Sequence, residues 1–214
     1  MRSKLPLRSL YAICDTSFSP QHSHVELARL LLLGGAPILQ LRMKGEKDVA
    51  RIRRTTQGIL ALKKEFSFTL LLNDFVQVAS DLPVDGIHLG QDDLPLPEAR
   101  ERVGRDKIIG YSSHSLEEAK RAQAQGADYV AFGAIFPTKT KGPGHPVQGV
   151  EKLKAVVQSL SVPVVAIGGI GRDNLEAVLK TGVASVAMIT ALTQAQDLIE
   201  TTRWFVNKIR AQEK

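Results

Sequence analysis

Residues 128–149 read DYVAFGAIFPTKTKGPGHPVQG, and the fold turns on how this stretch is read. Tyr129, Val130, Ala131, Phe132 and Ile135 make the apolar run that a strand covered on both faces needs. Pro137 stops it, and Thr138, Lys139, Thr140 and Lys141 follow with two hydroxyls and two ammonium groups. Gly142, Pro143 and Gly144 release the backbone from helix and strand geometry. Such a loop can grip phosphate or can be a plain solvated connection, and the segment alone supports both. Its place in the chain has to decide.

Outward from this stretch one rhythm repeats. Downstream come a helix from Val150 to Leu160, the strand PVVAIGG, the helix RDNLEAVLKTG, the strand SVAMI and a last helix from Asp197 to Ile209. Upstream, the strands LYAICD, ILQLRMKG, TLLLND, GIHLGQDD and KIIGYSS alternate with helices over Val25–Gly34, Asp48–Phe66, Phe75–Ser80, PLPEARERVG and SLEEAKRAQAQG. Eight strands alternate with eight helices, and most of the strands are continuously apolar. The pattern predicts a single (β/α)8 TIM barrel occupying residues 1–214. A doubly wound open sheet is the alternative, but it would carry a glycine fingerprint after the first strand, and LYAICDTSFSP has none.

With 214 residues, 43% of them hydrophobic and 23% charged, the chain suits one soluble core. LARLLLLGGA is too short to span a membrane, and Pro6 and Arg8 interrupt any signal peptide, so the expected location is cytoplasmic. Cys14 is the single cysteine, which excludes an intrachain disulfide and a thiolate zinc site. The net charge of +6 attracts anions. Nucleic acid is disfavoured because aromatics are only 5% and the basic run from Arg51 to Lys64 reads as the wet face of a helix. A small polyanionic substrate suits the charge better.

In a barrel of this kind the active site lies at the C-terminal ends of the strands. Polar residues gather there: Gln40, Arg42 and Lys44 after the second strand, Asn73 and Asp74 after the third, Gln91, Asp92 and Asp93 after the fourth. Ser112, Ser113 and His114 end the fifth, the Thr/Lys loop follows the sixth, and Gly168-Gly169 ends the seventh. Asp74 and Asp93 leave consecutive strands about 4.8 Å apart, so both carboxylates can reach one hard cation such as Mg2+. Alternatively Asp74 caps the next helix and Asp93 is solvated. Gln40, Arg42 and Lys44 share one face by the period of two, and two cations pointing into a barrel mouth imply a polyphosphate between them. A pair with Glu46 or Asp48 could instead satisfy one of them. Gly168-Gly169 and Thr190 stand where such barrels recurrently hold a phosphate. His22 and His24 read as solvated, His88 as a hydrogen-bonded core residue, His114 as ambiguous, and His145 has no assigned role.

On QLRMKG, LLNDF, DGIHLGQDDLP, IGYSSHS, GADYVAFGAIFPTKTKG, PVVAIGGI and VAMITAL, in order from Gln40 to Leu192, the chain resembles the thiamine-phosphate synthase (thiamine-phosphate pyrophosphorylase) family. The resemblance implies an Mg2+-dependent transferase that joins hydroxymethylpyrimidine diphosphate to a thiazole phosphate. Diphosphate is released, and CO2 also when the thiazole is carboxylated. It implies that Gln40, Leu41, Arg42, Met43, Lys44 and Asn73 bind the pyrimidine substrate with Ser112 and Lys141, and that Asp74 and Asp93 hold the metal. Thr138, Lys139, Thr140, Gly169, Ile189 and Thr190 bind on the thiazole phosphate side, and Arg42, Lys44, Ser112 and Lys141 act in catalysis. The loop glycines suggest a lid over both substrates. The partners implied are small phosphorylated substrates, without nucleic acid or membrane, and a homodimer is compatible with them.

Phe75 departs from the charged or polar residue common after Asn-Asp, and Thr190 replaces a serine while keeping its hydroxyl. Sister thiazole tautomerases place a catalytic histidine where this chain has Ala134. This chain lacks that histidine and keeps Asp74 and Asp93, which favours the synthase; a tautomerase-like or catalytically idle phosphate-binding barrel is the alternative reading.

Overall fold

In the computed structural model, residues 5–138, 140 and 146–211 are described. Eight parallel strands close into a barrel in chain order: β1 Ser9–Cys14, β2 Ile38–Leu41, β3 Thr69–Asn73, β4 Gly86–Leu89, β5 Ile108–Ser113, β6 Tyr129–Phe132, β7 Val164–Ile167 and β8 Ser185–Met188. The β1–β8 pairing, Tyr11 opposite Ala187, is the closure that an open sheet lacks. Outside lie α1 His24–Leu33, α2 Val49–Ala61, α3 Val76–Asp81, α4 Leu96–Val103, α5 Leu116–Ala124, α6 Gly149–Ser159 and α7 Leu175–Leu179. The chain ends in α8 Thr190–Thr193 and α9 Leu198–Arg210.

The predicted helix boundaries shift by one to a few residues because caps decide them. Ser23 and Glu26 form a capping box that starts α1 at His24, and the Asp48 carboxylate accepts from the N–H groups of Ala50 and Arg51 to start α2. The expected single helix to Phe66 stops at Ala61 and tightens into a 3-10 turn over Leu62–Lys64. Between β8 and the last helix lies α8, which the sequence did not announce. Thr190 therefore opens a short helix rather than ending a strand.

Two apolar layers result from strand alternation. Tyr11, Ile13, Ile38, Leu71, Ile108, Tyr129, Ala131, Val165 and Ala187 fill the barrel interior. Leu10, Ala12, Cys14, Leu39 and Leu41 face outward into the helix layer with Leu27, Leu31, Ile52 and Ile59. Cys14 packs there, fully buried, as expected of a lone core thiol. At the N-terminal face, the Asp85 and Asp128 carboxylates each accept the second N–H of a neighbouring strand, from Leu70 at 2.7 Å and Ile109 at 2.8 Å. Lys63 and Arg100 neutralise them. The interior thus becomes more polar toward the opposite end: Ile38, Gln40 and Arg42 on one line, Leu71 and Asn73 on the next.

Candidate active site

At that end opens a cavity of about 570 Å³. Gln40, Arg42, Asn73, Ser112, Thr138, Thr140, Gly169, Ile189 and Thr190 all line it, so most of the predicted substrate contacts converge on one space. Leu41 and Met43 alternate with these residues, and their side chains are buried in the outer layer, which leaves only their backbone available to a ligand. Lys139, Lys141 and His145, with the glycines expected to form a lid, lie outside the described residues.

One arc of the cavity is polar. Arg42 donates its guanidinium to Asp15, and the two side chains are 17% and 5% exposed. The alternative partnership with Glu46 or Asp48 does not form at Arg42, because Glu46 turns to Arg51 and Asp48 caps α2. Asp15 is placed by the β1–β2 register, which sets Cys14 beside Leu41 and so carries Asp15 to Arg42. One arginine thereby has its orientation fixed before any ligand arrives.

Asp74 and Asp93 meet at the rim beside this arc. Asp74 holds a left-handed backbone, φ +67°, which disfavours a residue with a Cβ and is the kind of local strain found at functional positions. It does not cap α3: Phe75 occupies that position with no side-chain bond. Asp93 is not merely solvated, since its Oδ2 accepts the Gly90 N–H at 2.6 Å. Burial pushes the Asp74 carboxyl up to about 7, the hydrogen bond and charge of Asp93 push the same way, and Arg42 and Lys44 pull it down. Asp74 thus keeps its proton up to near-neutral pH beside a second carboxyl, where a cation could sit. Oxygen donors alone suit a hard divalent ion, and the held proton marks the charge such an ion would replace. Among the described residues no group of three His, Cys, Asp or Glu side chains offers another metal site.

The opposite arc is built from glycine backbone. Gly168 and Gly169 have φ of +100° and +67°, and a Cβ on Gly169 would lie 2.5 Å from the Pro137 carbonyl oxygen. That contact locks the β7 exit onto the β6 exit. Asn174 clamps the same turn, donating to the Gly169 carbonyl at 3.0 Å and accepting from the Gly171 N–H at 2.9 Å. Thr138 and Thr140 join through their hydroxyls at 2.9 Å. On the β6–β8 side, Ala131, Ala134, Val165, Ile167 and Ala187 form an apolar wall.

Several residues of the site are not visible in sequence motifs: Asp15, Asn174, and the tyrosines Tyr11 and Tyr129. Tyr11, Tyr129 and His88 connect Gln40 to Ser112 beneath the cavity. His88 is buried and hydrogen-bonded as expected, yet it also lines the cavity. His114 binds Glu118 at the start of α5 and does not line the cavity. His22 and His24, expected in solvent, are half-buried against Ser19 and Thr16. Phe75 packs on the outer core.

The thiamine monophosphate synthase family model matches residues 10–192. The chain belongs to the thiamine monophosphate synthase family. A thiamine-phosphate synthase of Halalkalibacterium halodurans is 42% identical over 198 residues, covering 92% of each chain. One of Pyrococcus furiosus is 41% identical, covering 94% of this chain and 93% of its own. The solved structure of a thiamine phosphate pyrophosphorylase from Pyrococcus furiosus superposes with a TM-score of 0.86 at 37% identity, covering 95% of this chain and 96% of that one. An N-acetylmannosamine-6-phosphate 2-epimerase from Clostridium perfringens shares the fold, with a TM-score of 0.67 at 17% identity. The family's barrel is thus matched over nearly its whole length. No helix among the described residues is long and apolar enough to cross a membrane.

Proposed function

We propose that this barrel condenses hydroxymethylpyrimidine diphosphate with a thiazole phosphate to give thiamine phosphate and diphosphate, with CO2 lost when the thiazole is carboxylated. One observation carries the reading beyond family membership. The cavity has two polar arcs on opposite sides of the barrel, Arg42 beside the Asp74–Asp93 rim at β2–β4 and the glycine turn with Thr190 at β7–β8, and apolar side chains of β6–β8 line the space they share. Two phosphorylated heterocycles meeting ring to ring need that layout.

Asp74 and Asp93 would hold Mg2+, which when bound would neutralise charge on the diphosphate. Arg42, held by Asp15, is preset to accept the negative charge that builds as the C–O bond to diphosphate breaks. Lys44 and Lys141 add charge on that side. Asn73, Gln40 and Ser112 orient the pyrimidine, while the Gly168–Gly169 turn, Thr138, Thr140 and Thr190 hold the thiazole phosphate so that the ring nitrogen faces the departing methylene carbon. The apolar wall keeps water from the electron-poor methylene. No side-chain nucleophile is required.

The same reading accounts for the basic charge through anionic substrates rather than nucleic acid. It also fits cytoplasmic residence, where phosphorylated precursors are held, and a homodimer. Against a tautomerase stands Ala134, which presents a methyl group to the cavity. The test is incubation with both substrates and Mg2+, with and without chelator. Metal-dependent formation of thiamine phosphate and diphosphate in equal amounts is expected, and its absence sinks the assignment.

A further inference from the structure

Five side chains cross the barrel floor in one continuous line. Gln40 Nε2 donates to the Tyr11 hydroxyl at 2.6 Å, the Tyr11 and Tyr129 hydroxyls meet at 2.8 Å, Tyr129 meets His88 Nδ1 at 2.9 Å, and His88 Nε2 meets Ser112 Oγ at 2.9 Å. Tyr11 and Tyr129 are 1% and 0% exposed. They sit among Ile13, Leu71 and Val165, where an aliphatic residue would pack without any polar cost. Both ends of the line, Gln40 and Ser112, face the cavity, whereas Tyr129 does not line it. Whatever Tyr129 does for a ligand, it does through others.

We propose that Tyr11, Tyr129 and His88 are positioning residues whose hydrogen bonds run in a single direction from Gln40 to Ser112, presenting Ser112 as a hydroxyl donor to an acceptor on the aminopyrimidine diphosphate. The identity of that substrate rests on the function proposed above; the direction of the chain does not. Each phenol has one proton to give. A buried phenol has to give its proton to a partner: Tyr11 receives from Gln40 and so gives to Tyr129, and Tyr129 in turn gives to His88 Nδ1. An accepting Nδ1 leaves the ring proton on Nε2, which is given to Ser112, and the Ser112 proton is then free for the cavity. The opposite direction would turn oxygen lone pairs of Ser112 toward an incoming anion. Burial pushes both phenols well above their ordinary range, so neither breaks the chain by ionising.

The experiment is 15N NMR of ring-labelled histidine in the intact protein, with the His88 signals assigned by their loss in His88→Gln, combined with steady-state kinetics. The neutral Nε2–H tautomer is expected; an Nδ1–H tautomer overturns the proposal. In Tyr129→Phe the Nδ1 resonance should move as its phenol donor is lost, and kcat/KM for the pyrimidine diphosphate should fall about fivefold to tenfold, as for one hydrogen bond. The KM for the thiazole phosphate should stay unchanged. In a Ser112→Ala background the same change should cost nothing further. A role in packing alone predicts equal losses in both backgrounds and for both substrates, and that result overturns the proposal. Should the wild-type protein make no thiamine phosphate, the functional reading falls and the tautomer alone decides the chain.

Discussion

Gly110 lies against the ring of Tyr129: a Cβ built on it would fall 1.9 Å from Cζ and 2.3 Å from the hydroxyl oxygen. The two residues are register partners on β5 and β6, so the phenol reaches inward across a strand position that has no side chain. Gly110→Ala should cost about 3 kcal/mol or more, because overpacking in a closed barrel has no free space to relax into. Denaturant unfolding checks this. Tyr129→Leu in the same background should recover part of the stability, since leucine lacks the ring atoms that collide.

The Asp74–Asp93 pair predicts a pH dependence with a definite sign. The Asp74 carboxyl titrates near 7 in the folded protein, above its ordinary value of 3.8. The folded state therefore binds more protons between those values, so without a divalent ion this group's contribution is full at pH 4 and lost as pH rises through 7. Asp74→Asn should raise the Tm of the metal-free protein at pH 8 while abolishing turnover. Because a cation must displace the Asp74 proton, Mg2+ affinity should weaken about tenfold per pH unit below 7. Calorimetric titration at pH 6 and pH 8 reads it, and a flat response would contradict the raised Asp74 carboxyl.

Arg42 and Asp15 separate charge from orientation. Arg42→Ala should lower kcat on the order of 10²-fold, the loss expected when a preset charge contact is removed. Asp15→Asn keeps the arginine but loosens it, so a smaller loss is expected, about tenfold and mainly in KM for the pyrimidine diphosphate. If Asp15→Asn matched Arg42→Ala in kcat, Asp15 would be acting on the chemistry itself rather than on its partner.

How much of this was legible beforehand differs by residue. The period of two puts Gln40, Arg42 and Lys44 on one face; Gln40 and Arg42 do share the cavity, whereas Lys44, beyond the end of β2 where alternation no longer holds, is exposed and off the cavity lining. The closure of the barrel was also legible, since eight strand–helix units with no glycine fingerprint after the first strand favour a barrel over an open sheet. The partner of Arg42 was not, because Asp15 is 27 residues away and is delivered only by the β1–β2 register. Tyr11 and Tyr129 are separated by 118 residues, and inside an apolar run a tyrosine looks like packing. The four-residue α8 is too short for any periodicity to register.

The two ends of the barrel predict opposite phenotypes. Asp128 accepts from the Ile109 N–H and from Arg100 at the N-terminal face, and its side chain is 14% exposed. Removing the carboxylate leaves a strand N–H and a half-buried guanidinium without that acceptor, which should cost about 2–3 kcal/mol. No cavity residue lies at that face, so Asp128→Ala should lower Tm while kcat and both KM values, measured well below the new Tm, stay within twofold of wild type. A selective loss of kcat in a stably folded Asp128→Ala would mean that strain at the base of β5 and β6 reaches Ser112, and the separation of stability from chemistry in this barrel would fail.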